Sequence, residues 1–207
     1  LVDENGDAII TFGYVENKDF EIISGHNPFG KIEKKMQVIN FISGPGAGKS
    51  TLCSGLFSFM KRNFHDVEFV HEYAKELTWD ERFNCLQDQL SILGHQNNMM
   101  HRLKGKVDWV VTDTCLVLGL LYAPDDYFKN FEPLLMEVFN SYENINIFVE
   151  RPDTYEPIGR NQTHEEAIEV DKKTLTLLDR LNVKYIKVKY DIEPKDLLMA
   201  IRRYAGW

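Results

Sequence analysis

Phe41-Ile42-Ser43-Gly44-Pro45-Gly46-Ala47-Gly48-Lys49-Ser50-Thr51 lies between a strand-like apolar run and a helix-like one, and carries three glycines followed by Lys-Ser-Thr. Successive backbone N–H groups in such a loop turn inward, glycine permits the positive φ angles and close approach this requires, and the dipole of the following helix adds positive potential. The arrangement suits phosphate oxygens. Lys49 is placed to reach the β and γ phosphates of a nucleotide and the Ser50 hydroxyl to ligate Mg²⁺. The expected nucleotide-binding set is therefore Gly44, Gly46, Ala47, Gly48, Lys49, Ser50 and Thr51. One position departs from the G-x-x-x-x-G-K-[ST] spacing, because Ser43 stands where the first glycine is usual, and the expectation is that serine adopts the loop conformation at modest cost.

Outward from this loop, short β-branched runs alternate with longer helical stretches. Strands are expected at residues 37–42, 67–70, 107–112, 145–149 and 184–188, and helices at 48–62, within 81–103, at 131–142, at 163–181 and from Pro194 onward. That rhythm marks βαβ units, so the fold class is α/β, a five-stranded parallel sheet with helices on both faces. Phe83, Leu86, Leu90 and Leu93 recur at helical spacing in the 81–103 stretch, and Gly105 is expected to stop it. The 131–142 helix is expected to bury Leu134, Leu135, Val138 and Phe139. Thr163 with Glu166 three residues on forms a capping box, starting a helix with Ala167, Val170, Leu178 and Leu181 inward. The last helix, opened by Pro194, carries Leu197, Leu198 and Ile201. Residues 1–35 do not share the rhythm: two apolar runs at 9–14 and 20–23 predict a small β-hairpin in an N-terminal extension ahead of the 36–207 domain.

Three further places carry candidate chemistry. Asp113 ends the third core strand and emerges at the carboxyl edge of the sheet, the rim where ligands bind in open α/β folds, so it can orient the metal or its water. Its plain alternative is a strand-end or helix-capping aspartate. Glu72 follows the second core strand at the same rim and is the first choice for a general base, against a surface ion pair with Lys75 or Lys61. His71 is a weaker candidate. The segment Glu150-Arg151-Pro152-Asp153-Thr154-Tyr155-Glu156-Pro157-Ile158-Gly159-Arg160-Asn161-Gln162-Thr163 reads as a lid at 151–163, whose Arg151 and Arg160 would place guanidinium charge on a transferring phosphoryl group. Gln87, Gln89 and Gln96 lie on the long helical stretch, one face of which could line an acceptor pocket, with Gln96 first among them; the plain alternative is a set of solvent-facing glutamines.

Composition narrows the classes. A 207-residue chain, 43% hydrophobic, can bury one sizeable core, and its length predicts one domain plus an appendage, not a second large catalytic domain. A net charge of −8 works against duplex nucleic acid, where neutralised phosphates supply most of the affinity. No apolar run is long enough for a membrane span and the start has no signal-peptide pattern, which predicts a soluble, cytoplasmic protein. Cys53, Cys85 and Cys115 are odd in number and widely spaced, and no histidine pair suggests a metal site.

I-S-G-P-G-A-G-K-S-T-L, V-H-E-Y-A-K-E-L after the second core strand, V-T-D-T-C-L-V-L-G-L-L-Y after the third and F-V-E-R-P-D-T-Y-E-P-I-G-R-N-Q-T-H-E-E-A before the last major helix together resemble a known group. It is the P-loop kinase group containing the ribosylnicotinamide kinase domain of bacterial NAD-biosynthesis regulators, with related ATP-binding proteins of tailed phages. The resemblance implies a three-layer P-loop fold of nucleoside or nucleotide kinase type, ATP·Mg²⁺ as donor and a small nucleoside-like acceptor, in a host cytoplasm for a phage protein. It supports Lys49 and Ser50 on phosphate and metal, Asp113 at the acceptor or metal edge, and Arg151 and Arg160 in the lid. Lys75 stands where relatives often carry arginine, and Cys115 where a second acidic residue can occur. The competing classes are a nucleotide-hydrolysing switch or motor, for which the guanine-reading N-K-x-D is missing after the loop, and a binding module without turnover.

Overall fold

The computed structural model describes residues 10–12, 21–23, 36–152 and 163–206. Two units are distinct. In the first, β1 (Ile10–Phe12) pairs antiparallel with β2 (Glu21–Ile23), with Ile10 opposite Ile23. The second begins at Lys35 and holds everything discussed below.

Its core elements are β3 (Gln37–Ile42), α1 (Lys49–Arg62), β4 (Val67–Val70), α2 (Tyr73–Trp79), α3 (Gln89–His101), β5 (Trp109–Thr112), α4 (Gly119–Tyr122), α5 (Phe131–Asn140), β6 (Glu143–Glu150), α6 (His164–Arg180), β7 (Ile186–Lys189) and α7 (Pro194–Ala205). The strands form one sheet in the order β4-β5-β3-β6-β7, every pairing parallel. All five therefore end at the same rim, and the chain leaves β3, β4, β5 and β6 there into the glycine-rich loop, Glu72, Asp113 and Arg151. Among the described residues no helix is long and apolar enough to cross a membrane.

A strand points alternate side chains to opposite faces, and a parallel sheet needs both faces covered. Ile39, Phe41, Val111, Ile147 and Val149 meet Leu52, Leu56 and Met60 of α1 and Leu197 and Ile201 of α7. Val38, Ile42, Val110 and Phe148 meet Leu93 and Met100 of α3, Phe131, Leu135 and Phe139 of α5, and Leu178 of α6. Each of these larger side chains contributes about 1.5–3 kcal/mol when fully buried.

A polar ladder interrupts the second face. Asn40, buried on the same face as Val38 and Ile42, donates both to Asn144 Oδ1 and to Asn146 Oδ1 at 2.9 Å. Asn144 donates onward to the Phe139 carbonyl at 2.6 Å and Asn146 to the Lys184 carbonyl at 3.0 Å. Buried amides demand partners, so the ladder fixes the register of β3 on β6, because a one-residue slip of β3 would turn Asn40 to the face opposite Asn144 and Asn146.

The long helix expected over 81–103 is broken. A 3₁₀ turn covers Phe83–Gln87, and α3 starts afresh at Gln89 because the Asp88 carboxylate accepts the Ser91 N–H at 3.2 Å as an N-cap. Leu90 consequently faces solvent. On α5 it is Phe131, Leu135 and Phe139 that are buried, while Leu134 is exposed and Val138 half-buried. The capping box at Thr163 forms with both of its bonds, Glu166 N–H to Thr163 Oγ1 at 3.2 Å and Thr163 N–H to Glu166 Oε2 at 2.7 Å.

Candidate functional site

Between β3 and α1 the loop takes the conformation its glycines allow, with Gly46 at φ 86° and Gly48 at φ 91°. Ser43 is buried and is not among the residues of positive φ, so the usual first glycine is replaced here without backbone strain. Gly44 is required for a different reason: a Cβ there would lie 2.7 Å from the Ala167 carbonyl oxygen and 3.0 Å from Asp171 Oδ1, so α6 presses directly on the loop. Lys49 folds back over the loop, donating from Nζ to the Ser43 carbonyl at 2.8 Å and the Gly44 carbonyl at 2.9 Å. Burial lowers its pKa, and the nearby carboxylates of Glu72, Asp171 and Asp113 oppose that shift.

Asp113 is almost fully buried, and both its oxygens are engaged: Oδ2 accepts the Ser50 hydroxyl at 2.8 Å and Oδ1 accepts the Glu72 N–H at 3.0 Å. These contacts join the ends of β5 and β4 to the start of α1. A hydroxyl and a carboxylate side by side at the loop mouth are hard oxygen donors of the kind Mg²⁺ takes alongside water and phosphate. Among the described residues no group of three or more His, Cys, Asp or Glu is arranged to hold a metal by protein ligands alone.

Glu72 borders the same space, and burial raises its carboxyl pKa from the ordinary value, with Lys49 opposing and Asp113 adding to the rise. Its backbone neighbours are held by Gln96, which accepts the Tyr73 N–H at 3.0 Å and donates to the His71 carbonyl at 3.1 Å. Each end of that amide makes one bond to main chain, so Gln96 lines the pocket and brackets Glu72 there. Lys61 pairs with Glu68 on the surface, and His71 with Glu76, likewise exposed.

Arg151 lies at the rim against the loop. Its Nε donates to Asp171 Oδ2 at 2.5 Å, Nη1 to the Pro45 carbonyl at 3.2 Å and Nη2 to the Ala167 carbonyl at 3.1 Å. Arg160 and residues 153–162 lie outside the described residues. Asp171, which also accepts the Gly44 N–H at 2.5 Å, is the participant that sequence reasoning missed. The signal was there: Ala167, Asp171, Thr174 and Leu178 share one stripe of α6, and a carboxylate within an otherwise inward-facing stripe calls for a partner.

A cleft of about 980 Å³ runs from Pro45, Gly46, Lys49, Ser50 and Glu72 to an apolar and aromatic end formed by Trp79, Phe83, Leu86, Leu93, Leu118, Tyr122 and Leu135. Its size matches that of sites for drug-sized ligands, and Lys75, Thr78, Glu81 and Gln89 set polar groups among the apolar ones. Cys115 lies in its wall with its thiol pushed up to about 12 by burial, so it is a neutral group there.

Comparison with known proteins follows the same lines. A family model described as an AAA domain matches residues 38–195. Two solved structures of NadR share the fold: one in complex with NR, at 19% identity and a TM-score of 0.61, and one in complex with NAD and AMP-PNP, at 18% identity and a TM-score of 0.55. Each alignment covers 83% of this chain, and the chain spans about half the length of the NadR chains, 52% and 50%. No curated protein matches the sequence. Phosphate loop, parallel sheet and the matched stretch of sequence together make the chain a member of the AAA-domain family, with a P-loop α/β fold of the kind found in NadR.

Proposed function

We propose that the protein is an ATP-dependent phosphotransferase that moves the γ-phosphate of Mg·ATP to a hydroxyl of a small nucleoside-like or nucleotide-like acceptor. The observation that carries this reading is the placement of Lys49, the Ser50–Asp113 pair and Glu72 together at the mouth of a cleft that continues past the loop between aromatic and aliphatic side chains interspersed with Lys75, Thr78, Glu81 and Gln89. A hydrolase needs only a place for water beside the γ-phosphate, whereas a 980 Å³ cleft of that lining provides for a second organic substrate.

In this mechanism the loop N–H groups from Gly46 to Thr51 bind the β and γ phosphates, and the Lys49 ammonium, steadied on two carbonyls, faces the charge that grows on the β–γ bridge as it breaks. Ser50 and Asp113 would hold Mg²⁺, which when bound neutralises phosphate charge. The acceptor oxygen forms its bond to the γ-phosphorus as the bond from phosphorus to the bridging oxygen breaks, and ADP leaves. Glu72 takes the hydroxyl proton and returns it to solvent. Asp113 faces the Ser50 hydroxyl on the metal side and anchors the Glu72 N–H, which leaves Glu72, on the cleft wall, as the base. Arg160 would add guanidinium charge at the γ-phosphate, while Arg151, bonded through Nε, Nη1 and Nη2 to Asp171, Pro45 and Ala167, would add its charge from the loop side. ATP as donor fits a cytoplasmic setting.

The direct test is ADP release from Mg·ATP, alone and against nucleosides, nucleoside monophosphates and ribosylnicotinamide, with the product verified by mass. Acceptor-dependent ADP is expected. ADP release indifferent to every acceptor would make the protein a hydrolase or switch, and binding without release would make it a non-catalytic module.

The raised pKa of Glu72 sets a second expectation. A base works deprotonated, so kcat should fall as pH drops through a value above the ordinary carboxylate range. In Glu72→Gln this acid limb should vanish and kcat should drop about 10²- to 10⁴-fold. A pH profile unchanged in Glu72→Gln would remove Glu72 from the reaction.

A further inference from the structure

The loop that is to hold phosphate is itself held from the side by α6, an element that contributes nothing else to the site. The Asp171 carboxylate bridges two donors, the Gly44 N–H and the Arg151 Nε, both at 2.5 Å. Arg151 completes the circuit by donating to the Pro45 carbonyl at 3.2 Å, so the Gly44–Pro45 segment is gripped at one N–H and one carbonyl. The third arm of the guanidinium is fixed on the Ala167 carbonyl at 3.1 Å, one turn before Asp171 on the same helix. Both side chains are nearly withdrawn from solvent, at 11% and 13% exposure, so the contact is neither loose nor screened. The carbonyls of Ser43 and Gly44, the segment so gripped, are the ones that seat Lys49 Nζ. Gly44 has no side chain to intervene, and the space a Cβ would occupy is already filled by α6.

We infer that Asp171 is a positioning residue for phosphate binding: together with Arg151 it fixes the Ser43–Pro45 segment, and through it the seat of Lys49. The inference rests on the reading that this loop binds nucleotide phosphate, and it is independent of whether phosphate is then transferred. A buried ion pair contributes little net stability, since desolvation offsets its attraction. Its effect here is geometric. It keeps the Lys49 ammonium and the loop N–H groups in a fixed frame before nucleotide arrives, which lowers the ordering cost of binding.

The experiment is calorimetric titration of the full chain with Mg·ATP in the absence of acceptor, with thermal melting of each variant alongside. Asp171→Ala should weaken ATP binding roughly 10- to 100-fold, the size of one lost charge-assisted hydrogen bond system. Asp171→Asn keeps an oxygen for the Gly44 N–H and should recover part of that loss. Because Asp171 and Arg151 act as one clamp, Asp171→Ala combined with Arg151→Ala should lose no more than the worse single variant. In turnover assays KM for ATP should rise while KM for the acceptor stays put. A folded Asp171→Ala with wild-type ATP affinity would overturn the proposal, and so would losses that add in the double variant. Should Asp171→Ala fail to fold, Asp171→Asn decides: weaker ATP binding in a folded protein supports the clamp and unchanged affinity refutes it. Wild-type protein that binds ATP but never phosphorylates an acceptor would sink phosphotransfer and leave this inference standing. Failure of the wild type to bind ATP would sink both.

Discussion

Lys49→Ala is expected to reduce ATP turnover by about 10³-fold or more, the scale seen when a preorganised charge at the transition state is removed. The ammonium is seated on the Ser43 and Gly44 carbonyls and surrounded by Glu72, Asp113 and Asp171. Deleting it removes the attraction for the γ-phosphate and also takes the nearest cation from the Glu72 and Asp113 carboxylates beside an anionic ligand, so binding and chemistry fail together. Stability should move by no more than about 1 kcal/mol, because the burial cost of the lysine largely cancels its gains. Lys49→Arg should fare little better, since a planar fork cannot occupy the seat of a compact ammonium. The checks are ADP release and melting temperature measured on the same preparations. Full activity in a folded Lys49→Ala would remove the loop from the reaction.

Asp113→Asn should cost about 10²- to 10³-fold in kcat and raise the Mg²⁺ concentration needed for half-maximal activity. An amide offers one acceptor oxygen where the carboxylate offers two, so either the Ser50 hydroxyl or the Glu72 N–H loses its partner. In one orientation the new NH₂ faces the Glu72 N–H, donor against donor, and the start of α2 must shift. In the other it faces Ser50 and removes the negative charge from the metal side. Activity measured across a Mg²⁺ series separates the two: a changed Mg²⁺ dependence puts Asp113 on the metal, and an unchanged one with lower kcat makes it the anchor of Glu72 alone.

The fold was legible because its signals are local. The loop sits between strand and helix in the sequence itself, and the core strands appear within a few residues of their expected bounds. The lapses have physical causes. Phe83, Leu86, Leu90 and Leu93 keep helical spacing across a break, because Phe83 and Leu86 are drawn to the cleft and Asp88 caps a new start. Periodicity does not register a change of partner.

Within the site, Lys49, Ser50, Glu72, Asp113 and Arg151 arrive together because parallel strands end at one rim, which follows from the parallel sheet expected of the sequence. What each touches was not legible. Gln96 reads as a pocket glutamine in sequence and turns out to hold main chain. Asp171 reads as one more surface acid in a chain with 32 acidic residues, and only its stripe on α6 sets it apart.

The asparagine ladder between β3 and β6 has a consequence for how the sequence can drift. Asn40 donates to both Asn144 and Asn146, so replacing it alone strands two amide oxygens at about 1–3 kcal/mol each, while replacing all three together removes those unmet oxygens and costs only the side-chain donors to the Phe139 and Lys184 carbonyls. Descendants of this chain should therefore carry the three asparagines as a set or lack them as a set, and a designer repacking the sheet should exchange them in one step.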